Sequence, residues 1–275
     1  MLALLSLAVT LEAKRLPIKS YTAADGLPHN TVMRIVRDSH GFLWFCTLHG
    51  LSRFDGYTFK NYGTEQGLGS QVTDLLETHN GGYWAASLSG LYRFHLDPHR
   101  QHSKPERLRP NVPVSAGTLF ELQRLADDHG PEGVNALHED RSDTIWAATN
   151  RGLYQLTQRD GRWTSHLVDL GVGNGSGNKI RVLELLEDRE GGVWVSLPAI
   201  GLRRVLPDGR VERYTALGFP AGETKDSSSN DTVNAMLEDH LGRIWLASTN
   251  GLAMLVHQST SNRFEVAHVF TEKDG

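Results

Sequence analysis

Five tryptophans held in one repeating frame, a Gly-Leu pair after each, and closely spaced turn residues predict an all-β chain. The fold class is a β-propeller of four-stranded antiparallel blades, with five blades present. Trp44, Trp84, Trp146, Trp194 and Trp245 are spaced by 40, 62, 48 and 51 residues. Twelve residues before each stands a valine: Val32, Val72, Val134, Val182 and Val233. Nine before, in the first four copies, stand Ile35, Leu75, Leu137 and Leu185. Six before are Asp38, Asp140, Asp188 and Asp239, with Thr78 in the second copy. Three before are Gly41, Gly81, Gly191 and Gly242, with Asp143 in the third. The Gly-Leu pair follows the Trp by six residues, or by seven in the fourth copy, where Pro198 lengthens the turn.

The first copy shows how the frame encodes a sheet. Val32 to Arg37 reads as a strand, and Asp38-Ser-His-Gly41 as a tight turn, because Gly supplies φ > 0 and Asp bonds its own backbone. Phe42 to Thr47 is a second strand, rich in aromatic and β-branched residues. Leu51 to Phe54 is the third, Asp55-Gly56 a hairpin turn, and Tyr57 to Tyr62 the fourth. Helical solenoids are excluded, because the copies lack a 3.6-residue apolar period. A lone blade cannot cover both faces, so blades must stack, and each Trp is expected to be a buried wedge between neighbours. The same frame places blades near residues 27–62, 68–125, 133–169, 179–216 and 230–270, within a propeller domain over 14–275. Thr118 to Leu125 is expected to be the outer strand of blade two. The proline-rich insertion 96–117 before it is expected to be a surface loop.

Composition narrows the function. A net charge of −4 gives no basic footprint for nucleic acid. The single cysteine, Cys46, sits in an apolar strand and is expected to be buried. Residues 1–13 open with an apolar stretch of signal-peptide length, too short to cross a bilayer. We read it as a signal-peptide remnant, with a buried first strand as the alternative. A periplasmic or extracytoplasmic location follows from the first reading. His99-Arg-Gln-His102 is the only local histidine cluster and lacks a zinc-like partner set, so no metal or other cofactor is expected.

The stretches Gly26-Leu-Pro-His-Asn-Thr-Val32, Asp38-Ser-His-Gly41-Phe-Leu-Trp44 and Gly50-Leu-Ser-Arg-Phe-Asp-Gly56 resemble the two-component regulator propeller repeat. The likeness extends over nearly the whole chain after Leu16, and it loosens in blades two to four. It implies a sensing ectodomain placed ahead of a transmembrane helix and an output, commonly a hybrid histidine kinase and sometimes a diguanylate cyclase. Such domains often bind glycan fragments. The expected partners are therefore a small-molecule or carbohydrate ligand and the remaining blades and signalling output of a longer receptor. A homodimer is a possible assembly, and no nucleic acid is expected. No catalytic residue is assigned. The alternatives are a protein-interaction scaffold using the insertion, or a propeller lyase, whose repeat Arg243-Ile-Trp245 locally resembles.

Two further expectations concern shape and site. Residues Tyr21 to Gly26 match Phe270 to Gly275 in type, and Ile18 to Tyr21 reads as a spare strand. Five blades that each own an outer strand, plus one spare strand, predict an open arc of a larger propeller, with a closed five-bladed ring as the alternative. The connectors into the inner strands and the turns between second and third strands should share one face. There the copies differ most, and the candidate ligand residues are His29, Asn30, His49, Ser70, Gln71, Ser89, Asn150, Arg151, Arg181 and Asn250. Tyr83 or Trp163 would offer an aromatic platform beside them.

Overall fold

The computed structural model of the chain describes residues 18–94, 119–125, 133–172, 180–215, 217 and 232–274. The expected segments 1–13, 96–117 and His99–His102 lie outside these residues. Among the described residues, twenty strands form five separate four-stranded antiparallel sheets, each running in chain order from inner to outer strand. Blade one holds β1 (Val32–Arg37), β2 (Leu43–Thr47), β3 (Gly50–Phe54) and β4 (Phe59–Tyr62). Blade two holds β5 (Val72–Glu77), β6 (Tyr83–Ser87), β7 (Gly90–Phe94) and β8 (Phe120–Gln123). Blade three holds β9 (Val134–Glu139), β10 (Ile145–Thr149), β11 (Gly152–Arg159) and β12 (Arg162–Leu167). Blade four holds β13 (Leu185–Glu187), β14 (Val193–Leu197), β15 (Gly201–Val205) and β16 (Val211–Tyr214). Blade five holds β17 (Val233–Glu238), β18 (Ile244–Ser248), β19 (Gly251–Gln258) and β20 (Arg263–Phe270).

The repeating Asp is a lock as well as a turn residue. In blade one, Oδ1 of Asp38 accepts from the backbone N–H groups of His40 and Phe42, and Oδ2 accepts from Trp44 Nε1 at 2.7 Å. Asp140, Asp188 and Asp239 hold Trp146, Trp194 and Trp245 the same way, at 2.8, 2.8 and 2.9 Å. One carboxylate thus fixes both the turn and the rotamer of the Trp six residues on, which is why the offset does not drift. The Gly of the Gly-Leu pair is required for a different reason. Gly50 has φ +129°, and a Cβ there would strike the carbonyl of Tyr62 in the outer strand.

Each Trp points at the next blade. Trp44 packs with Leu75, Tyr83 and Phe94 of blade two, and Trp84 with the core of blade three. Trp146 meets Leu185 and Val195 of blade four, and Trp194 meets Phe264 and Leu246 of blade five. Those four rings are buried as expected. Trp245 is only partly buried, because among the described residues no sheet covers the last face, and Leu237 beside it is 61% exposed. Met236 takes the place that Ile or Leu holds nine residues before the other tryptophans.

A second seam joins blades at the Asp-x-x-Gly end. Ser39 donates from both N and Oγ to Glu77, each at 2.6 Å. His79 N donates to Glu139 at 2.6 Å, Arg141 Nε lies 3.9 Å from Glu187, and Arg189 Nε reaches Glu238 at 2.6 Å. Each glutamate ends an inner strand.

The array is an open arc of blades. Among the described residues no strand pairs β20 to the N-terminal segment. The expected strand at Ile18–Tyr21 does not form: Ile18 is 83% exposed, and Tyr21 folds back onto Phe54 and Phe59 at 5.1 and 5.5 Å. With no neighbouring sheet edge to pair with, the segment settles on the aromatic rings of blade one. Thr22 and Asp25 then close a short 3-10 turn at Ala23–Asp25.

Candidate ligand-binding face

Backbone hydrogen bonds bring the inner-strand connectors and the second turns together. Gln71 N donates to Leu48 O at 2.9 Å, and Leu88 N to Gln71 O at 3.1 Å. Val182 N donates to Thr149 O at 2.8 Å, and Asn135 Nδ2 reaches Val182 O at 2.7 Å. These bonds set the connectors into blades two and four beside the second turns of the blades next to them, and the candidate residues divide by role.

His29, His49 and Ser70 converge. The two imidazoles meet edge to face at 4.6 Å. Nδ1 of His29 accepts from Thr31 N at 2.9 Å, which fixes that ring and leaves Nε2 directed elsewhere. His49 and Ser70 line a cleft of about 310 Å³ between blades one and two, together with Asn61, Glu65 and Gln66. Ser89 is half-buried against Ser87 Oγ at 2.9 Å and Tyr92 OH at 3.3 Å.

Other candidates serve the fold. Asn30 Oδ1 accepts from Ala23 N at 2.7 Å and so anchors the N-terminal turn. Gln71 has φ +57° and spends its backbone on the seam. Asn150 Oδ1 accepts from Asn135 Nδ2 at 3.1 Å, and Arg151 N donates to Thr149 Oγ1 at 3.0 Å. Arg181 and Asn250 are exposed further along the arc. Neither aromatic platform is available. Tyr83 is buried against Trp44, and Trp163 packs edge-on to Trp84 at 4.9 Å.

Two features escaped the sequence. At the axis, Arg34 of blade one reaches Glu184 beside blade four through Nη2 at 2.7 Å, and its Nε lies 3.4 Å from Asp74 of blade two. Asp74 also accepts from Leu75 N at 2.8 Å and Leu137 N at 2.9 Å. Burial pushes the Asp74 carboxyl up to about 6 against the pull of Arg34. These positions are Arg34, Asp74, Ala136, Glu184 and Ala235 in the five copies. That divergence inside the frame was the available signal. The second feature is a cleft of about 930 Å³ between the outer hairpins of blades four and five, on the Asp-x-x-Gly side. Its walls include Arg204, Arg210, Arg213, Arg263, Glu212 and His257. Arg204 is buried there and already paired with Asp188 at 2.6 Å and Glu212 at 3.3 Å.

The model of the two-component regulator propeller matches residues 26–49 and 227–250. The chain carries two-component regulator propeller repeats. A 58-residue stretch, 20% of this chain, is 45% identical to Histidine kinase P4 of Formosa agariphila and spans 4% of that protein. The extracellular domain of BT3049 from B. thetaiotaomicron, described as a hybrid two component system, superposes with a TM-score of 0.62 at 19% identity. That match covers 92% of this chain and 32% of the other. Virginiamycin B lyase from Staphylococcus aureus superposes with a TM-score of 0.58 at 13% identity, over 88% of this chain and 71% of the enzyme. At these identities the two structures show the shared propeller fold. The chain spans only a small part of the kinase and about a third of the extracellular domain.

Proposed function

We propose that this chain is an extracytoplasmic ligand-sensing module of a two-component-type receptor. It would bind a small molecule or glycan fragment at the face of connectors and turns, and the signalling output would lie in other segments. The observation that carries the reading is the polar cleft lined by His49 and Ser70, with the His29 ring against His49, beside blade one, where the two-component regulator propeller model matches residues 26–49. Polar groups that converge in a concavity, set on rigid elements, are what selective binding of a polar ligand requires. Lyase chemistry is disfavoured at this cleft. A general acid or base needs a poised partner, and among the described residues no carboxylate lies within ion-pair distance of His29 or His49.

The test is calorimetric titration of the chain with a panel of neutral and acidic oligosaccharides. At least one should bind, and His49→Ala should weaken it by about tenfold or more, as loss of a central polar contact does. Ser70→Ala should weaken it less. Binding that is unchanged in both variants, or absent across the panel, would overturn the reading.

A further inference from the structure

The seam on the Asp-x-x-Gly side has a direction. The turn of each blade offers N–H donors, and the inner strand of the next blade ends on a carboxylate that accepts them. Ser39, His79 and Arg189 donate to Glu77, Glu139 and Glu238, each at 2.6 Å. Blade one breaks the rule. Arg37 pairs with Leu43 across the sheet, just as Glu77 pairs with Tyr83, so it stands where the glutamate should be. It is exposed and has no partner among the described residues. An arginine has only donors to offer.

Blade five presents the other half of an unfinished seam. His240 follows Asp239 as Ser39 follows Asp38, and its backbone N–H has no acceptor among the described residues. Beside it lies an apolar face with Leu237, Leu252 and Phe270 exposed and Trp245 partly so. In blades one to four the matching face is covered by a sheet.

We propose that this face of blade five docks a further propeller blade whose inner strand ends in a carboxylate, and that a second copy of this chain is not that blade. The proposal rests on the reading of the chain as one module of a longer receptor. Joining blade five to blade one, within a molecule or between copies, sets the Arg37 guanidinium against the donors of the His240 turn. Donor then meets donor, and the seam that joins the other blades cannot form. The exposed apolar face is therefore mismatched in polarity to the chain's own free end. Arg37 opposes both ring closure and head-to-tail polymers, the open-ended assembly that unlike faces invite.

The chain itself supplies the probe. Arg37→Glu installs the carboxylate that every other blade carries. Sedimentation velocity, with carbene footprinting of Leu252 and Phe270, reports whether the blade-five face becomes covered within or between molecules. R37E should cover that face and tighten association or closure by about tenfold or more, the scale of new charge-assisted hydrogen bonds. R37A, which removes the misplaced donor without adding an acceptor, should do much less. Because Arg37 is exposed, both variants should keep the wild-type far-UV spectrum. A face that stays open in R37E would overturn the proposal. So would a wild-type chain whose face is already covered and is uncovered by dilution, since the occupant would then be a second copy. The experiment contains no sugar, so its failure leaves the ligand reading standing, and failure to bind oligosaccharides leaves this one standing.

Discussion

Blades four and five carry the same lock in different surroundings. Asp188 holds Trp194 Nε1 at 2.8 Å, and Asp239 holds Trp245 Nε1 at 2.9 Å. Around Trp194, Tyr214 lies at 4.8 Å, Phe264 of the next blade at 5.3 Å, and the buried Arg204 at 5.8 Å. Around Trp245 there is Phe270 of its own blade at 6.1 Å and Arg243 at 5.5 Å, and beyond them no sheet among the described residues. The local geometry of a blade is written in its own turn. The energetic weight of that geometry comes from the neighbour that buries it.

The largest effect should therefore fall on blade four. Trp194→Ala empties a fully buried site at the interface with the next blade and removes one of the side-chain donors to the buried Asp188, which keeps Arg204 at 2.6 Å. Equilibrium urea unfolding should show a loss of about 3–5 kcal/mol. A loss near 1 kcal/mol would mean that the ring is not a wedge between blades.

The contrast extends to the axis, where blade four contributes Glu184 to the Arg34–Asp74 cluster and the matching position of blade five is the exposed, uncharged Ala235. Asp74 ordinarily titrates near 3.8, and in the folded chain it titrates at about 6. A raised carboxyl pKa means that the folded state holds the proton more tightly than the unfolded state does. The contribution of this group is thus complete below about pH 3.8 and is lost as pH rises through about 6, on the order of 3 kcal/mol. In Asp74→Asn that slope should vanish, so unfolding free energies measured from pH 4 to pH 7 should fall less steeply than in the wild type. Parallel curves would show that the axial carboxyl is not displaced.

What the sequence disclosed follows the same division. The lock, the Gly-Leu turn and the strand order were legible, because each depends on residues a few positions apart in one blade. Asp38 to Trp44 is six residues wherever it occurs, and a fixed offset survives inspection. The axial cluster was not legible, since Arg34 and Glu184 lie 150 residues apart and meet only because the arc curves. Residues Ile18 to Tyr21 have strand-like composition, and composition cannot reveal that no sheet edge among the described residues receives them. In the ligand face, the shared side of the propeller could be read from topology. Which side chains were spent on structure could not: Asn30 caps a turn and Asn150 joins the connector lattice through bonds set by the fold. The Asp that blade two lacks shows the limit of the frame. Thr78 keeps the turn by bonding Asn80 at 2.6 Å, and Trp84 is held instead by Trp163 from blade three, at 4.9 Å.

The smallest effect should come from Trp245→Ala. The side chain loses one hydrogen bond and partial burial, and Asp239 keeps Arg243 at 2.6 Å, so no buried charge is stranded. A net hydrogen bond contributes about 0.5–1.5 kcal/mol, and the ring is already partly in water with no neighbouring sheet to lose among the described residues, so the total should stay on the order of 1–2 kcal/mol. Urea unfolding alongside Trp194→Ala makes the pair decisive, because the substitution, the lock and the host are the same. A ratio of two or more in favour of Trp194 would show that the neighbouring blade supplies most of the stabilisation. Equal losses would mean that something covers Trp245 in solution, and the sedimentation behaviour of wild type and R37E would then identify it as a second copy or not.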